Sequence, residues 1–269
     1  MIKTIPYFCH MVFTDTHTHL YLNAFDDDRQ KIVQKAIRQG VYYMLLPNID
    51  SKSVAGMLAL CEDFPAHCFP MMGLHPTSVK ENFREELDVI TEWHERKAFI
   101  AVGEIGIDLY RDKTFVKEQE EAFCYQIELA IRKDLPIVIH SRDSFDKIVE
   151  ILHDYKGTTL RGVFHCFTGT FEQARLAIDL GFYLGIGGVV TFKNSGLEYV
   201  LTELGLQHLL LETDSPFLAP VPFRGKRNES SYIHLIASKI SQIKNIDREE
   251  VARITTQNAL DLFKFIKDE

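Results

Sequence analysis

Phe99-Ile-Ala-Val-Gly-Glu104, then a stripe of Phe123, Ile127, Ala130 and Ile131, then Ile137-Val-Ile-His140-Ser141: within residues 99–141 an apolar run closes on a carboxylate, a segment repeats its apolar residues at helical spacing, and a second apolar run closes on an imidazole. Strands buried on both faces read as continuous apolar runs, and a helix between two of them makes the pair parallel. The same unit recurs outward in both directions. Short β-branched or apolar runs stand at Met11 to Asp15, Val41 to Leu46, Phe69 to Leu74, Phe99 to Gly103, Ile137 to Ile139, Val163 to Phe164, Phe182 to Ile186 and Leu209 to Leu211, which makes eight. A further helical stripe passes through Ile32, Val33, Ala36 and Ile37.

Gly40, Gly157, Gly181 and Gly205 each end a helical stretch before a strand, where a left-handed cap favours Gly. Thr170 and Gln173 have capping-box spacing, Asp247 stands as an N-cap, and Ser231 to Phe265 reads as two helices. Eight units at about 30-residue spacing predict an α/β fold, a single (β/α)8 barrel of TIM type with its active site at the C-terminal rim of the strands. A doubly wound open sheet is the alternative. No linker or low-complexity tract divides residues 1–269, so one domain is expected, with 1–10 a short N-terminal extension.

The 269 residues are 46% hydrophobic and 25% charged, ordinary for a globular chain with a large core. Pro6 and His10 interrupt the apolar start, which excludes a signal-peptide core or a membrane span there and predicts a cytoplasmic protein, expected as a monomer. Cys9, Cys61, Cys68, Cys124 and Cys166 form an odd set without Cys-x-x-Cys spacing and read as reduced core thiols, Cys166 included. A net charge of −8 argues against a broad basic face for long duplex nucleic acid but leaves room for a small phosphate pocket.

The chemistry lies at the strand ends. The first strand closes in Asp15-Thr-His17-Thr-His19, where alternation puts both histidines on one face, able to grip one metal. Glu104, His140, His165 and Asp214 close the fourth, fifth, sixth and eighth strands. Each alone reads as a hydrogen-bonded core residue, because a buried ionisable group is costly without a partner. Together they put ligand-type residues from five strands on one rim. Six such residues exceed the needs of one tetrahedral ion, whereas two ions about 3.5 to 4 Å apart need a bridging carboxylate and several terminal ligands. Glu104 is the natural bridge; His17, His19 and Asp214 then serve one ion, and His140 and His165 the other.

The chain resembles the TatD family of metal-dependent hydrolases, a branch of the amidohydrolase-like barrels, from Val12 to Phe263. The resemblance rests on Asp15-Thr-His17-Thr-His19, Gly73-Leu-His75-Pro76, Gly103-Glu-Ile-Gly-Ile-Asp108, Ile139-His-Ser-Arg-Asp143, Phe164-His-Cys-Phe-Thr-Gly169, Glu212-Thr-Asp-Ser-Pro216 and Phe223-Arg-Gly-Lys-Arg-Asn-Glu229, in that order. It implies a barrel, a divalent-metal centre at the six residues named, and deoxyribonuclease activity, often from a 3′ end. Some members lack the first histidine pair, which is present here. Glu104 replaces the carboxylated lysine that bridges metals elsewhere in the superfamily.

Roles follow from position. The expected nucleophile is a metal-activated water whose proton Asp214 accepts, with the metals polarising the phosphoryl oxygen. His75 is placed to donate a hydrogen bond or proton near the leaving group, or else is simply held by its loop. Arg142, Arg224, Lys226 and Arg227 lie in loops after rim strands and could hold phosphate; Arg224 is favoured, while Lys226 reads as solvated surface. Asp15 and Asp108 are expected to orient ligands or loops, and Asn258 to make a structural hydrogen bond. Imidazole with carboxylate suits zinc, manganese, iron or nickel, and the resemblance adds magnesium. The leading expectation is 3′–5′ exonucleolytic cleavage of DNA at short or single-stranded ends. The alternatives are hydrolysis of a carbonyl substrate, such as D-aminoacyl-tRNA or a small amide, and a non-catalytic metal-binding scaffold.

Overall fold

The computed structural model describes residues 11–110 and 112–266; the proposed extension at 1–10 and Cys9 lie outside the described residues. Eight strands occur among these residues: β1 (Phe13–Asp15), β2 (Val41–Pro47), β3 (Cys68–Met71), β4 (Val102–Asp108), β5 (Ile137–Arg142), β6 (Gly162–Phe164), β7 (Phe182–Ile186) and β8 (Leu209–Leu211). Helices α1 (Arg29–Arg38), α2 (Val54–Asp63), α3 (Phe83–Arg96), α4 (Val116–Lys133), α5 (Phe145–His153), α6 (Phe171–Asp179) and α7 (Leu197–Glu203) each connect one strand to the next, and α8 (Ile233–Lys244) and α9 (Arg248–Phe263) follow β8.

Every strand pair is parallel and the strands are ordered as in the chain, β1-β2-β3 and β4 through β8. Backbone bonds join the two ladders at both seams. Between β3 and β4, Ile100 N–H donates to Pro70 O (3.2 Å), Met72 N–H to Ala101 O (3.1 Å) and Gly103 N–H to Met72 O (3.1 Å). Between β8 and β1, Thr16 N–H donates to Leu211 O (3.0 Å), Asp214 N–H to His17 O (2.9 Å) and His19 N–H to Ser215 O (2.7 Å). An open sheet has two unpaired edges, so these seams exclude the doubly wound alternative and close the barrel.

The alternation within strands sets what fills it. Val138 and Val163 precede His140 and His165 by two positions, on the same strand faces. They cluster with Leu45, Met71, Ala101 and Leu210, all fully or almost fully buried, and with Ala259, Leu262 and Phe263 of α9. This is the lumen, stoppered by the last helix at the strands' N-terminal end, so the polar residues occupy the opposite mouth. A second, larger cluster packs the outer strand faces against the helices.

Local expectations hold with identifiable exceptions. Gly40, Gly157 and Gly181 adopt φ of 87–88°, and Thr170 and Gln173 form the reciprocal capping box of α6. Gly205 does not cap a helix in the left-handed region; α7 ends in extended backbone at Leu204, and Gly205 has φ −77°. Asp247 occupies the N-cap position of α9 without a side-chain cap bond. β4 begins three residues later than expected because residues 100–103 bond to the end of β3, and it extends through Asp108 to pair with Arg142. Asn258 Nδ2 donates to Leu206 O and Leu209 O, both at 2.8 Å, tying α9 to β8.

Candidate metal centre

The six predicted ligands and His75 meet at this mouth. His17 and His19 continue β1, Glu104 lies within β4, His140 within β5, His165 follows β6 and Asp214 follows β8. Asp214 sits at φ 56°, an uncommon region for a residue with a Cβ. Its N–H bond to His17 O and the Phe217 N–H bond to Asp214 O (2.7 Å) hold it there.

Glu104 is the hub. Its Oε2 lies 3.1 Å from His17 Nε2 and 3.6 Å from His19 Nε2, and both imidazole nitrogens are within 3.9 Å of Asp214 Oδ1. Its Oε1 lies 2.9 Å from His140 Nδ1, 3.4 Å from His75 Nε2 and 3.6 Å from His165 Nε2. One carboxylate thus presents one oxygen to each of two groups of ligand-type atoms. His17 and His165 stack ring on ring between them, with centroids 3.5 Å apart. Burial opposes the charge on Glu104, but His75, His17 and His165 outweigh it and hold this carboxyl well below its usual range.

The outer ring nitrogens fix the tautomers. Tyr21 O–H donates to Pro47 O (2.5 Å), so His19 Nδ1–H donates to Tyr21 Oη (2.9 Å) and His19 Nε2 turns a lone pair inward. His140 Nε2 lies 3.0 Å from Asp108 Oδ2, as expected of an orienting carboxylate. Burial disfavours its charge, yet bonds to Asp108 and Glu104 prevail and raise His140 to about 9. His165 Nδ1 lies 3.0 Å from Glu212 Oε1 but makes no hydrogen bond, and that oxygen accepts the Cys166 N–H (2.6 Å). Burial lowers His165 to about 4 and raises Glu212 to about 7. Sequence reasoning passed over both Glu212 and Tyr21, although Glu212 stands two residues before Asp214, at the end of β8.

Asp15 accepts Thr213 N–H (2.9 Å) and Thr213 Oγ1–H (2.6 Å), lashing β1 to β8 beneath the histidines, with burial raising it to about 7. His75 is different from the other rings. Its Nδ1 accepts the Thr77 N–H (3.1 Å), so the neutral ring carries its proton on Nε2, toward Glu104.

A cleft of about 950 Å³ opens over the centre, and Arg142, Arg224, Lys226 and Lys80 line it. Lys226 is exposed, as the solvated reading expects, and also stands on the rim of this cleft, and Lys80, which no motif marked, joins it from the far loop. Arg227 does not: it pairs with Asp28 at 2.7 and 2.8 Å and donates to Ala24 O. Cys166 is half-buried at the edge of a neighbouring pocket and is not a core thiol, because φ 48° turns its side chain off the strand direction. Burial raises its thiol well above the usual range.

The donor set fits divalent ions. Burial pushes His17 and His19 toward the neutral form that offers a lone pair; their Nε2 atoms stand only 3.2 Å apart and face two carboxylates. Among the described residues, His17 Nδ1 and His165 Nδ1 are both buried without a hydrogen-bond partner. Acceptors converging with too few donors are what a cation satisfies. A closed parallel barrel carrying such a cluster on its C-terminal rim is the design of a metal-dependent hydrolase.

Comparison with known proteins agrees. Residues 14–264 match the family described as TatD related DNase. The chain is 38% identical to the uncharacterized metal-dependent hydrolase YabD of Bacillus subtilis over 251 residues, covering 93% of this chain and 98% of that one. It is 31% identical to the 3′-5′ ssDNA/RNA exonuclease TatD of Salmonella typhimurium over 258 residues, covering 94% and 99% respectively. The crystal structure of the TatD homologue YjjV from Escherichia coli K12 superimposes with a TM-score of 0.89 at 31% identity, covering 94% of this chain and 98% of that one. The chain belongs to the TatD family and is a metal-dependent hydrolase. No helix among the described residues is long and apolar enough to cross a membrane.

Proposed function

We propose that this hydrolase is a deoxyribonuclease that shortens strands from a 3′ end, with two divalent ions at the Glu104 hub. The observation that carries the reading is the division of Glu104, Oε2 facing His17 and His19 and Oε1 facing His140 and His165, in a cleft lined by Arg142 and Arg224. His17, His19 and Asp214 would hold one ion and His140 and His165 the other, with Glu104 able to serve both. Bound there, the ions supply Lewis-acid polarisation of the phosphoryl oxygen and make water a nucleophile near neutral pH.

The protein residues do the rest. Asp214 accepts the proton of the attacking water. His75 Nε2–H, fixed by the Thr77 bond to Nδ1, donates toward the leaving oxygen. Arg142 and Arg224 grip the flanking phosphates with a planar fork that suits bidentate contact. The Salmonella relative's name, an exonuclease of single-stranded DNA and RNA, supports the substrate class.

The test is hydrolysis by manganese-loaded protein of single-stranded oligonucleotides labelled at either end, with a covalently closed circle, aminoacyl-tRNA and simple amides in parallel. Progressive shortening from the 3′ end that spares the circle is expected. Rapid cutting of the circle refutes the strand-end reading. Inertness toward DNA with turnover of aminoacyl-tRNA or an amide moves the activity to carbonyl chemistry.

A further inference from the structure

We infer that Phe217 is a stacking platform that seats the last unpaired base of a nucleic-acid strand beside the metal centre, with Arg142 and Arg224 as flat cationic plates for the chain behind it. This rests on the proposed action on strand ends and specifies what the end must look like. Phe217 lies three residues past Asp214, its ring edge-on to His19 at 6.2 Å, and it lines the cleft over the centre. It is 50% exposed. Its backbone is nevertheless pinned on both sides, Phe217 N–H donating to Asp214 O (2.7 Å) and Asn228 Nδ2 donating to Phe217 O (2.7 Å). The next residue, Leu218, is 42% exposed in the same cleft. An apolar ring fixed in water, anchored through the turn that carries Asp214, offers a preorganised face to a ligand.

The cations nearby are arranged for the same kind of ligand. The Arg142 guanidinium lies over the Tyr110 ring at 3.9 Å and that of Arg224 over Phe192 at 4.5 Å. One face of each guanidinium rests on an aromatic ring, which holds the fork flat and leaves its edge for phosphate or its outer face for a base. Aromatic faces alternating with phosphate-binding cations form a single-strand groove, because every base has a π-face and stacking needs no base-edge readout. A base inside a duplex has both faces covered by its neighbours. Only an unpaired end, of DNA or of an RNA such as a tRNA acceptor strand, can lay a single base on Phe217 while its phosphate reaches the centre.

The probe is an oligonucleotide carrying 2-aminopurine as its 3′-terminal base behind a non-hydrolysable methylene-phosphonate linkage, titrated into the manganese-loaded protein so that the centre is filled and nothing is cleaved. Stacking on Phe217 is expected to quench the fluorescence on binding of the single strand and of a duplex with a short 3′ overhang, but not of a blunt duplex. Phe217→Ala should lose the quench and bind about 5- to 100-fold more weakly; Phe217→Trp should keep both. Unchanged thermal midpoint and metal content in Phe217→Ala exclude misfolding as the cause. A wild-type protein that binds and shortens strands, with Phe217→Ala equal to it in quench and affinity, overturns the platform and leaves the proposed function intact. No binding of any DNA or RNA end by the wild type overturns both. A terminal RNA base that quenches where DNA does not keeps the platform and assigns it to the RNA source.

Discussion

Replacing Glu104 with alanine tests the centre at its hub. Each oxygen of this carboxylate faces a different set of imidazoles, His17 and His19 at 3.1 and 3.6 Å on one side, His140 and His165 at 2.9 and 3.6 Å on the other. One substitution therefore removes a ligand from both proposed ions. Ions held at 100 times their Kd stabilise the native state by about 2.7 kcal/mol per site, hence about 5.4 kcal/mol for two. At about 2–4 °C per kcal/mol for a chain of this size, saturating Mn²⁺ or Zn²⁺ should raise the thermal midpoint of the wild type by about 10–20 °C. For Glu104→Ala the rise should shrink to a few degrees at the same free metal, and elemental analysis should fall from near two ions per chain to well below one. The comparison uses the metal-induced increment within each protein, which removes whatever the substitution does to the metal-free fold. A variant that keeps both ions and the full increment refutes the bridge; one that loses a single ion cleanly places Glu104 on one side only.

Asp214→Asn keeps an oxygen ligand but cannot take a proton, so kcat for oligonucleotide hydrolysis should drop by on the order of 10²-fold or more while substrate affinity falls much less; equal losses would reduce Asp214 to a shaping role. Asp108→Asn weakens the orientation of His140 and should lower the affinity of one ion by about 10- to 100-fold, read by titration calorimetry as one weakened site out of two. Arg224→Ala should reduce the log-log salt slope of single-strand binding by about 0.7, as for one lost phosphate contact, whereas Arg227→Ala, whose guanidinium is committed to Asp28, should leave the slope unchanged. Asn258→Ala strips the two carbonyls of Leu206 and Leu209 of their donor and should cost about 1–3 kcal/mol in denaturant unfolding with metal content intact.

The cleft's electrostatics follow from the same geometry. The chain has a formal net charge of −8, yet four cationic side chains line one cleft above a carboxylate hub. Glu104, Asp108, Asp112 and Asp214 line the same cleft, and Lys80 pairs with Asp112 at 3.6 Å, so cations and carboxylates balance there.

Residue order alone carried the barrel and most of the centre. Apolar runs that alternate with helical stripes are local patterns, and period-two alternation says which residues of one strand share a face; Glu104, His140, His165 and Asp214 each close such a run, so their common rim was legible before any coordinates. What lay beyond reach was the placement of residues around the barrel and the course of its loops. Asp15 and Thr213 are 198 positions apart, Arg227 and Asp28 are 199, and no periodicity links them; only closure of β8 on β1 brings them together. The loop after β3 carries Lys80 into the cleft and holds His75 as a donor through Thr77, while the fold spends Arg227 on Asp28 and turns Cys166 out of the core. Glu212 shares its strand end with Asp214, but that it would accept the Cys166 N–H and lie beside His165 depended on β6, β7 and β8 lying side by side. Strand faces are written by side-chain alternation along the chain, whereas the partners of a buried polar group are chosen by desolvation across it, and that choice exists only once the barrel has closed.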